Sequence, residues 1–227
     1  MAYEIGQVRQ TGAYNEYADG QERPARLNRR AELVTQATIQ QWVADGRVFT
    51  VNSGTGTAPA TFAGAYVATT PDVYVYVPLG TTLIPLKIRV MYEAVGTEST
   101  MEIVATASVT GDSTAGGTAL TIYPYRLDNP RASVVTATAG GTVTSPNSGI
   151  FFDFWRKMRP LTDTVATTEN DRHELVFEWS ALTDIPPYIV GTTAGTGGSC
   201  LALWAASQAG TGFIEVTWAE IPSTSAV

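Results

Sequence analysis

Alternation of side-chain character along short segments is the feature that most constrains how this chain can fold. In residues 212–222, the apolar residues Ile214, Val216 and Trp218 alternate with polar or small ones. A period of two places successive side chains on opposite faces of an extended strand, so one face of this segment is predicted to be buried. Because similar segments recur from residue 48 onward, the sequence predicts an all-β body.

Turn-forming residues separate these segments at short intervals, as expected for strands joined by tight loops. Examples are the pairs Gly116-Gly117, Gly140-Gly141 and Pro186-Pro187. Charged residues make up 15% of the chain, against about a quarter in an average protein, which is typical of a turn-rich β protein. We therefore predict an antiparallel two-sheet sandwich over residues 48–222, followed by a short tail over 223–227.

Two segments allow predictions of side-chain direction. Leu86 and every second residue after it, up to Tyr92, are predicted to face the core. Pro85 lies at the start of this run and predicts an edge position or a bulge, because proline cannot donate to a sheet ladder. Phe152 and Phe154 are likewise predicted to belong to a core strand.

Residues 1–47 differ from the body and are predicted to form an extended arm, with a short helix favoured over 38–46. Residues 1–30 follow neither the strand period nor the helix period, and residues 1–47 contain six arginines and six acidic residues. Tyrosine and arginine are enriched at protein interfaces, and an arginine guanidinium can form two hydrogen bonds to one carboxylate. A contact of the arm with a neighbouring subunit is therefore predicted. A solvated run of charge is the alternative for the arginines. The predicted interface residues of the arm are Tyr3, Tyr14, Tyr17, Arg23, Arg26, Arg29 and Arg30.

A second group of basic residues follows an aromatic run in the body. Residues 151–155 contain three phenylalanines and a tryptophan, and Arg156, Lys157 and Arg159 come directly after them. These three basic side chains are predicted as a second interface, with the rim of a core strand as the alternative.

The residue types that usually carry catalysis are scarce. His173 is the only histidine and Cys200 the only cysteine, and no nucleophile-elbow sequence or spacing typical of metal ligands is present. Cys200 lies among apolar residues and is predicted to be a buried, inert thiol. Asp153 and Glu178 are considered as a glycosidase-like pair, but outward strand carboxylates are the ordinary explanation. We predict no catalytic residue, no cofactor and no metal.

Charge and hydropathy also bear on the partners. The body from residue 48 onward carries eight basic and fifteen acidic residues, and such a surface disfavours phosphate backbones. No apolar stretch of membrane-spanning length is present, and no apolar run follows a basic start. We therefore expect no direct contact with nucleic acid or membrane, and synthesis without a secretion signal.

Three features together resemble virion structural proteins of bacteriophages, and more narrowly the jelly-roll cement or decoration proteins of capsids. They are the polar arm, the turn in residues 77–86 that joins two strands, and the closing segment 206–218. The resemblance implies a jelly roll that forms dimers or trimers and contacts the major capsid protein without catalysis. It also implies synthesis in the host cytoplasm and a final location on the capsid surface.

Three other functions stay open on the residues alone. The first is a major capsid protein built on a single jelly roll. The second is a carbohydrate-binding sandwich of a virion fibre, in which exposed tryptophan or tyrosine stacks on sugar rings. The third is a hydrolase on a β-sandwich, which the shortage of histidine and cysteine disfavours.

Overall fold

The fold was described from a computed structural model, which describes residues 7–8, 26–27, 38–95, 99–110, 113–143, 151–161, 176–192, 198–206 and 209–223. No helix in these ranges is long and apolar enough to cross a bilayer. In chain order the strands are β1 (Gln7–Val8), β2 (Arg26–Leu27), β3 (Val48–Asn52), β4 (Ala60–Phe62), β5 (Val73–Val77), β6 (Thr81–Val95), β7 (Ser99–Ser108), β8 (Ser113–Ala115), β9 (Thr118–Ala119), β10 (Tyr123–Pro124), β11 (Thr136–Ala139), β12 (Thr142–Val143), β13 (Phe151–Leu161), β14 (Val176–Ser180), β15 (Ile189–Val190), β16 (Ser199–Ala206) and β17 (Gly210–Pro222), and the helix α1 (Thr38–Ala44) lies between β2 and β3.

Two antiparallel sheets form the body, which confirms the predicted all-β two-sheet sandwich. Sheet I has the order β10-β3-β17-β6-β14, with β4 beside β17 and β15 beside β6. Sheet II has the order β13-β7-β16-β5-β11-β9. Two small pairs lie outside these sheets: β1 with β2, which is parallel, and β8 with β12.

The long strands pair in a nested order. Eight of the described strands have five or more residues, namely β3, β5, β6, β7, β13, β14, β16 and β17. The first of these pairs with the last, the second with the seventh, the third with the sixth and the fourth with the fifth. Strands that are far apart in the chain are therefore neighbours in both sheets.

The core lies between the two sheets and is made by the alternation seen in the sequence. Ile214, Val216 and Trp218 of β17 are buried there, as predicted, and they meet Leu201 and Leu203 of β16 from the other sheet. Burying a side chain of this size stabilises the fold by roughly 1.5–3 kcal/mol before the entropy of ordering it is counted.

The outer face of sheet I is partly covered by α1. Ile39, Trp42 and Val43 of the helix pack against a cluster that includes Ile84 and Ile221. The helix ends in the left-handed turn that only glycine adopts easily, since Gly46 has a φ of 68°. The amides of Gly46 and Arg47 bond back to the carbonyls of Val43 and Trp42 at 3.0 and 2.8 Å. The predicted short helix is thus confirmed.

A bulge in β6 changes the direction of one predicted core residue. The pairing of β6 with β17 shifts in register where Thr217 faces Lys87 and Trp218 faces Pro85, so Leu86 has no partner. Leu86 therefore packs in the outer cluster under α1, and its predicted place in the central core is wrong. The predicted bulge near Pro85 is confirmed, whereas an edge position is wrong because β6 lies between β17 and β14.

Asp72, which is buried, joins the segment after β4 of sheet I to two parts of sheet II. Its Oδ1 accepts the amide of Ala63 at 2.9 Å, and its Oδ2 accepts the amide of Ala205 at 2.7 Å. Its backbone carbonyl accepts the amide of Gly140 at 2.9 Å. Burial raises the pKa of Asp72 above its ordinary value, and the two amide bonds oppose that rise.

We predict that Gly212→Ala destabilises the fold by about 1–3 kcal/mol, whereas Gly56→Ala changes it by less than about 0.5 kcal/mol. A Cβ on Gly212 would lie 2.0 Å from the carbonyl oxygen of Met91 on β6, while one on Gly56 would have nothing within 4 Å. Urea unfolding followed by tryptophan fluorescence measures both variants. Equal midpoints for the two variants would contradict the tight β6–β17 contact.

Candidate assembly interface

One side of the sandwich is closed by the strands at two sheet edges, β13 of sheet II and β14 of sheet I. Among the described strands, β13 pairs only with β7 and is therefore the last strand of sheet II on this side. Natural proteins either protect the outer edge of such a strand or use it for pairing with another chain. We call this side of the molecule the β13 edge.

A bulge and an ion triad shape the first half of β13. The register with β7 shifts between Asp153 and Trp155. Arg156 donates to Asp153 Oδ2 at 2.6 Å and to Glu102 Oε1 at 2.5 Å. Thr106 donates its hydroxyl to the other oxygen of Asp153 at 2.8 Å. Both carboxylates are therefore occupied on the outer face of sheet II.

The triad also fixes the charge state of its arginine. The hydrogen bond to Asp153 raises the pKa of Arg156, desolvation lowers it, and the bond to Glu102 adds to the rise. Bulges and charged side chains are two of the devices that limit uncontrolled pairing at an edge strand.

Aromatic rings fill the gap between β13 and β14. The ring of Phe154 meets Trp179 edge-on, with centroids 5.2 Å apart, and Phe152 lies 6.4 Å from Phe154. The guanidinium of Arg159 lies 5.6 Å from the centroid of Phe177, which is a cation–π distance. Phe154 is half-buried against the core, as predicted. The predicted burial of Phe152 is wrong, because it is 52% exposed at the mouth of this gap.

Beside these rings lies a shallow groove of about 610 Å³. Its walls are Phe152 and Phe154 on one side and the loop 183–187 on the other. In that loop Ile185 is 92% exposed, and Met158 on β13 is 60% exposed. Contiguous apolar patches mark contact sites on proteins, whereas single exposed apolar residues are common.

The basic residues predicted on β13 have different surroundings. Lys157 is exposed on the edge, whereas Arg156 is held in the triad and Arg159 lies over Phe177. The apolar residues Met158 and Ile185 were missed by the sequence analysis. The Pro186-Pro187 pair indicated a turn there, but the exposure of the turn depends on how β14 and β15 are placed.

The predicted interface of the arm falls almost entirely outside the described residues. This applies to Tyr3, Tyr14, Tyr17, Arg23, Arg29 and Arg30. Only the backbone of Arg26 is described, in β2, where it pairs with Gln7 of β1. The role of the arm therefore stays a prediction.

The residues considered for catalysis do not converge in the part of the chain that the structure describes. Asp153 lies on the outer face of sheet II, while Glu178 lies on that of sheet I and contacts Lys87 at 3.1 Å. His173 falls outside the described residues. No group of three or more metal-binding side chains occurs among those described.

Cys200 is buried, as predicted, in the cluster on the outer face of sheet II. Tyr74 and Trp204 lie in the same cluster, and the thiol donates a 3.5 Å hydrogen bond to the carbonyl of Thr110. Burial raises the pKa of Cys200 to about 12. A thiol in this state is a weak nucleophile, because only the thiolate reacts.

Comparisons with protein-family models, with curated proteins and with solved structures gave no match.

We predict that the folded chain reacts with a thiol-specific disulfide reagent at pH 8 at least a hundredfold more slowly than the urea-unfolded chain. With a pKa near 12, about one thiol in ten thousand is ionised at that pH, and burial blocks the reagent. Raising the pH toward 12 increases the thiolate fraction and the rate. The control is Thr57→Cys, whose exposed position gives one fast-reacting thiol in the same protein. Equal rates at the two cysteines would contradict the burial of Cys200.

Proposed function

We propose that this chain is a non-enzymatic structural protein of a bacteriophage virion, of the cement or decoration type. In this role it stabilises the capsid shell by binding copies of itself and the major capsid protein. The observation that carries the proposal is the β13 edge, where the last described strand of sheet II, eleven residues long, lies beside exposed apolar side chains.

The strand order supports the jelly-roll part of this proposal. A jelly roll contains eight strands in two sheets and two Greek keys, and it is common among capsid and lectin domains. Nested pairing of the first strand with the last, and so on inward, is the order expected when a long antiparallel ribbon rolls into two sheets. Because one fold serves many functions, the function is argued from the surface and not from the fold.

The β13 edge suits contact between protein subunits. A strand added at this edge would form hydrogen bonds with the backbone of β13. The side chains of the added strand, on its two faces, would give specificity. Met158 lies on the outer face of sheet II, opposite Glu102, and Phe152 lies on the inner face, opposite Ala107. A partner strand at this edge would therefore cover apolar side chains on both faces.

The distribution of charge supports an arm that binds acidic neighbours. The body carries the whole negative excess of the chain, whereas four arginines cluster within residues 23–30 of the arm. Guanidinium groups bind carboxylates in a fork, so the arm of one subunit is complementary to the body of another. Many weak arm contacts acting together hold an assembly far more tightly than one alone does.

We predict that the double variant Met158→Asp, Ile185→Asp weakens self-association by at least tenfold, which corresponds to about 1.4 kcal/mol. Two carboxylates would have to be desolvated in the contact, and both positions are exposed, so the fold itself loses little. Size-exclusion chromatography with light scattering over a range of concentrations gives the oligomeric state.

The matched control for this variant is Leu127→Asp. Leu127 is 81% exposed and follows β10, at the edge of sheet I opposite β14. The Leu127→Asp variant is expected to associate like the parent chain. A parent chain that stays monomeric, or a double variant that associates normally, would rule out the β13 edge as the contact between copies.

We predict that deletion of residues 1–30 leaves a folded body that no longer binds capsids. The eight long strands all lie beyond residue 47, so the sandwich keeps its core. Co-sedimentation with purified particles that lack this protein measures binding, and circular dichroism checks the fold. Full binding by the truncated chain would exclude the arm as the attachment to the shell.

A further inference from the structure

A second groove lies on the outer face of sheet I and shares no lining residue with the groove at the β13 edge. It has a volume of about 580 Å³, within the range of small-molecule sites. Its borders are the turn 52–56, the segment 118–123 and the outward side chains of Met91 and Phe213. The groove thus lies near the β3 and β10 edge of sheet I, where the register pairs Tyr123 with Thr50.

The floor of the groove is apolar. Met91 and Phe213 face each other across the β6–β17 pair, and both are half-buried. Gly54 allows the ring of Phe213 to lie under the turn, because a Cβ on this residue would be 2.5 Å from that ring. The ring of Tyr123 is 58% exposed at the side of this floor. A rigid aromatic ring and an apolar floor form a surface on which a flat, weakly polar ring can lie.

The rim of the groove carries uncharged hydrogen-bonding groups that are held in place. Asn52 Oδ1 accepts the amide of Gly54 at 3.0 Å, so its NH₂ group keeps two donors for a ligand. Ser53 Oγ accepts the amide of Ile214 at 2.9 Å, which leaves its own hydroxyl proton to donate. Thr118 and Thr121 add two hydroxyl groups on the opposite wall.

The lining residues that the structure describes include no acidic, basic or histidine side chain. A charged ligand would therefore lose its hydration in the groove without gaining a counter-charge. A ligand that fits has an apolar face for Tyr123 and Phe213 and a ring of neutral hydroxyl groups for the rim. A pyranose ring has both, since its axial C–H bonds form an apolar face and its hydroxyls form a polar edge.

We infer that this groove binds neutral carbohydrate, as a short run of uncharged pyranose units of a surface glycan. Tyr123 is the stacking residue, and Asn52 and Ser53 supply donors to the sugar hydroxyls. This binding is separate from assembly, because the groove and the groove at the β13 edge share no lining residue. Either function can fail without the other.

The first test is a glycan array with the intact chain. We expect binding to arrayed neutral oligosaccharides, no preference for sialylated or sulfated ones, and at least a tenfold loss of signal in Tyr123→Ala. The matched control is Tyr188→Ala, which removes a tyrosine that is equally exposed, at 58%, outside the groove. The control should bind like the parent chain.

The second test locates the ligand without changing the protein. The chain is labelled with ¹³C at the methionine methyl groups and titrated with maltoheptaose and with methyl β-galactoside as neutral probes. Of the four methionines, Met91 lines the groove, Met101 is buried in the core and Met158 lies at the β13 edge, so of these three signals only that of Met91 should shift. These three signals report the site even if Tyr123→Ala alters the fold.

Three results would overturn the inference. They are the absence of binding to any neutral glycan at millimolar concentration, binding only to charged glycans, and a shift at Met158 in place of Met91. Binding of an extended peptide in the groove, with no response to sugar, would show instead that this surface takes a protein partner.

Discussion

The pairing of β17 with β6 in the middle of sheet I is the contact on which the rest of the fold depends. Their register runs from Gly210 opposite Val95 to Pro222 opposite Thr81, and it includes two shifts. The same two strands bring β3 and β14 to their places on either side. Because a one-residue slip would turn every inward side chain outward, the core and both functional surfaces rely on this register.

The surfaces differ because different elements cover the sheets. The helix α1 covers one end of the outer face of sheet I, which leaves Met91 and Phe213 open at the other end to form the floor of a groove. The outer face of sheet II is covered around Trp204, whose indole donates to the carbonyl of Val67 at 2.8 Å. The edge strand β13 has no such cover among the described residues, and for this reason we propose it as the place of a subunit contact.

Much of the fold could be predicted from the sequence, since alternation directly encodes which face of a strand is buried. Ile214, Val216 and Trp218 point inward for that reason. Leu86 was placed wrongly because it lies at a bulge, which reverses the alternation without a clear local signal. Phe152 faces inward, but it lies on the last described strand of sheet II, where the core no longer covers it. The groove on sheet I could not be predicted, because Tyr123 and Phe213 line it together only through the pairing of both β10 and β17 with β3.

The nested strand order also determines when each strand of a newly made chain can pair with its neighbour. Thr50 of β3 pairs with Thr217 of β17, so β3 cannot pair with β17 until nearly all of the sandwich has been synthesised. Until then Phe49 and Val51, which are buried in the finished fold, have no sheet to pack against on that side. Closing such long loops is slow. A chain cut short by an error in translation therefore cannot complete sheet I, and it would be excluded from any assembly that needs a finished sandwich.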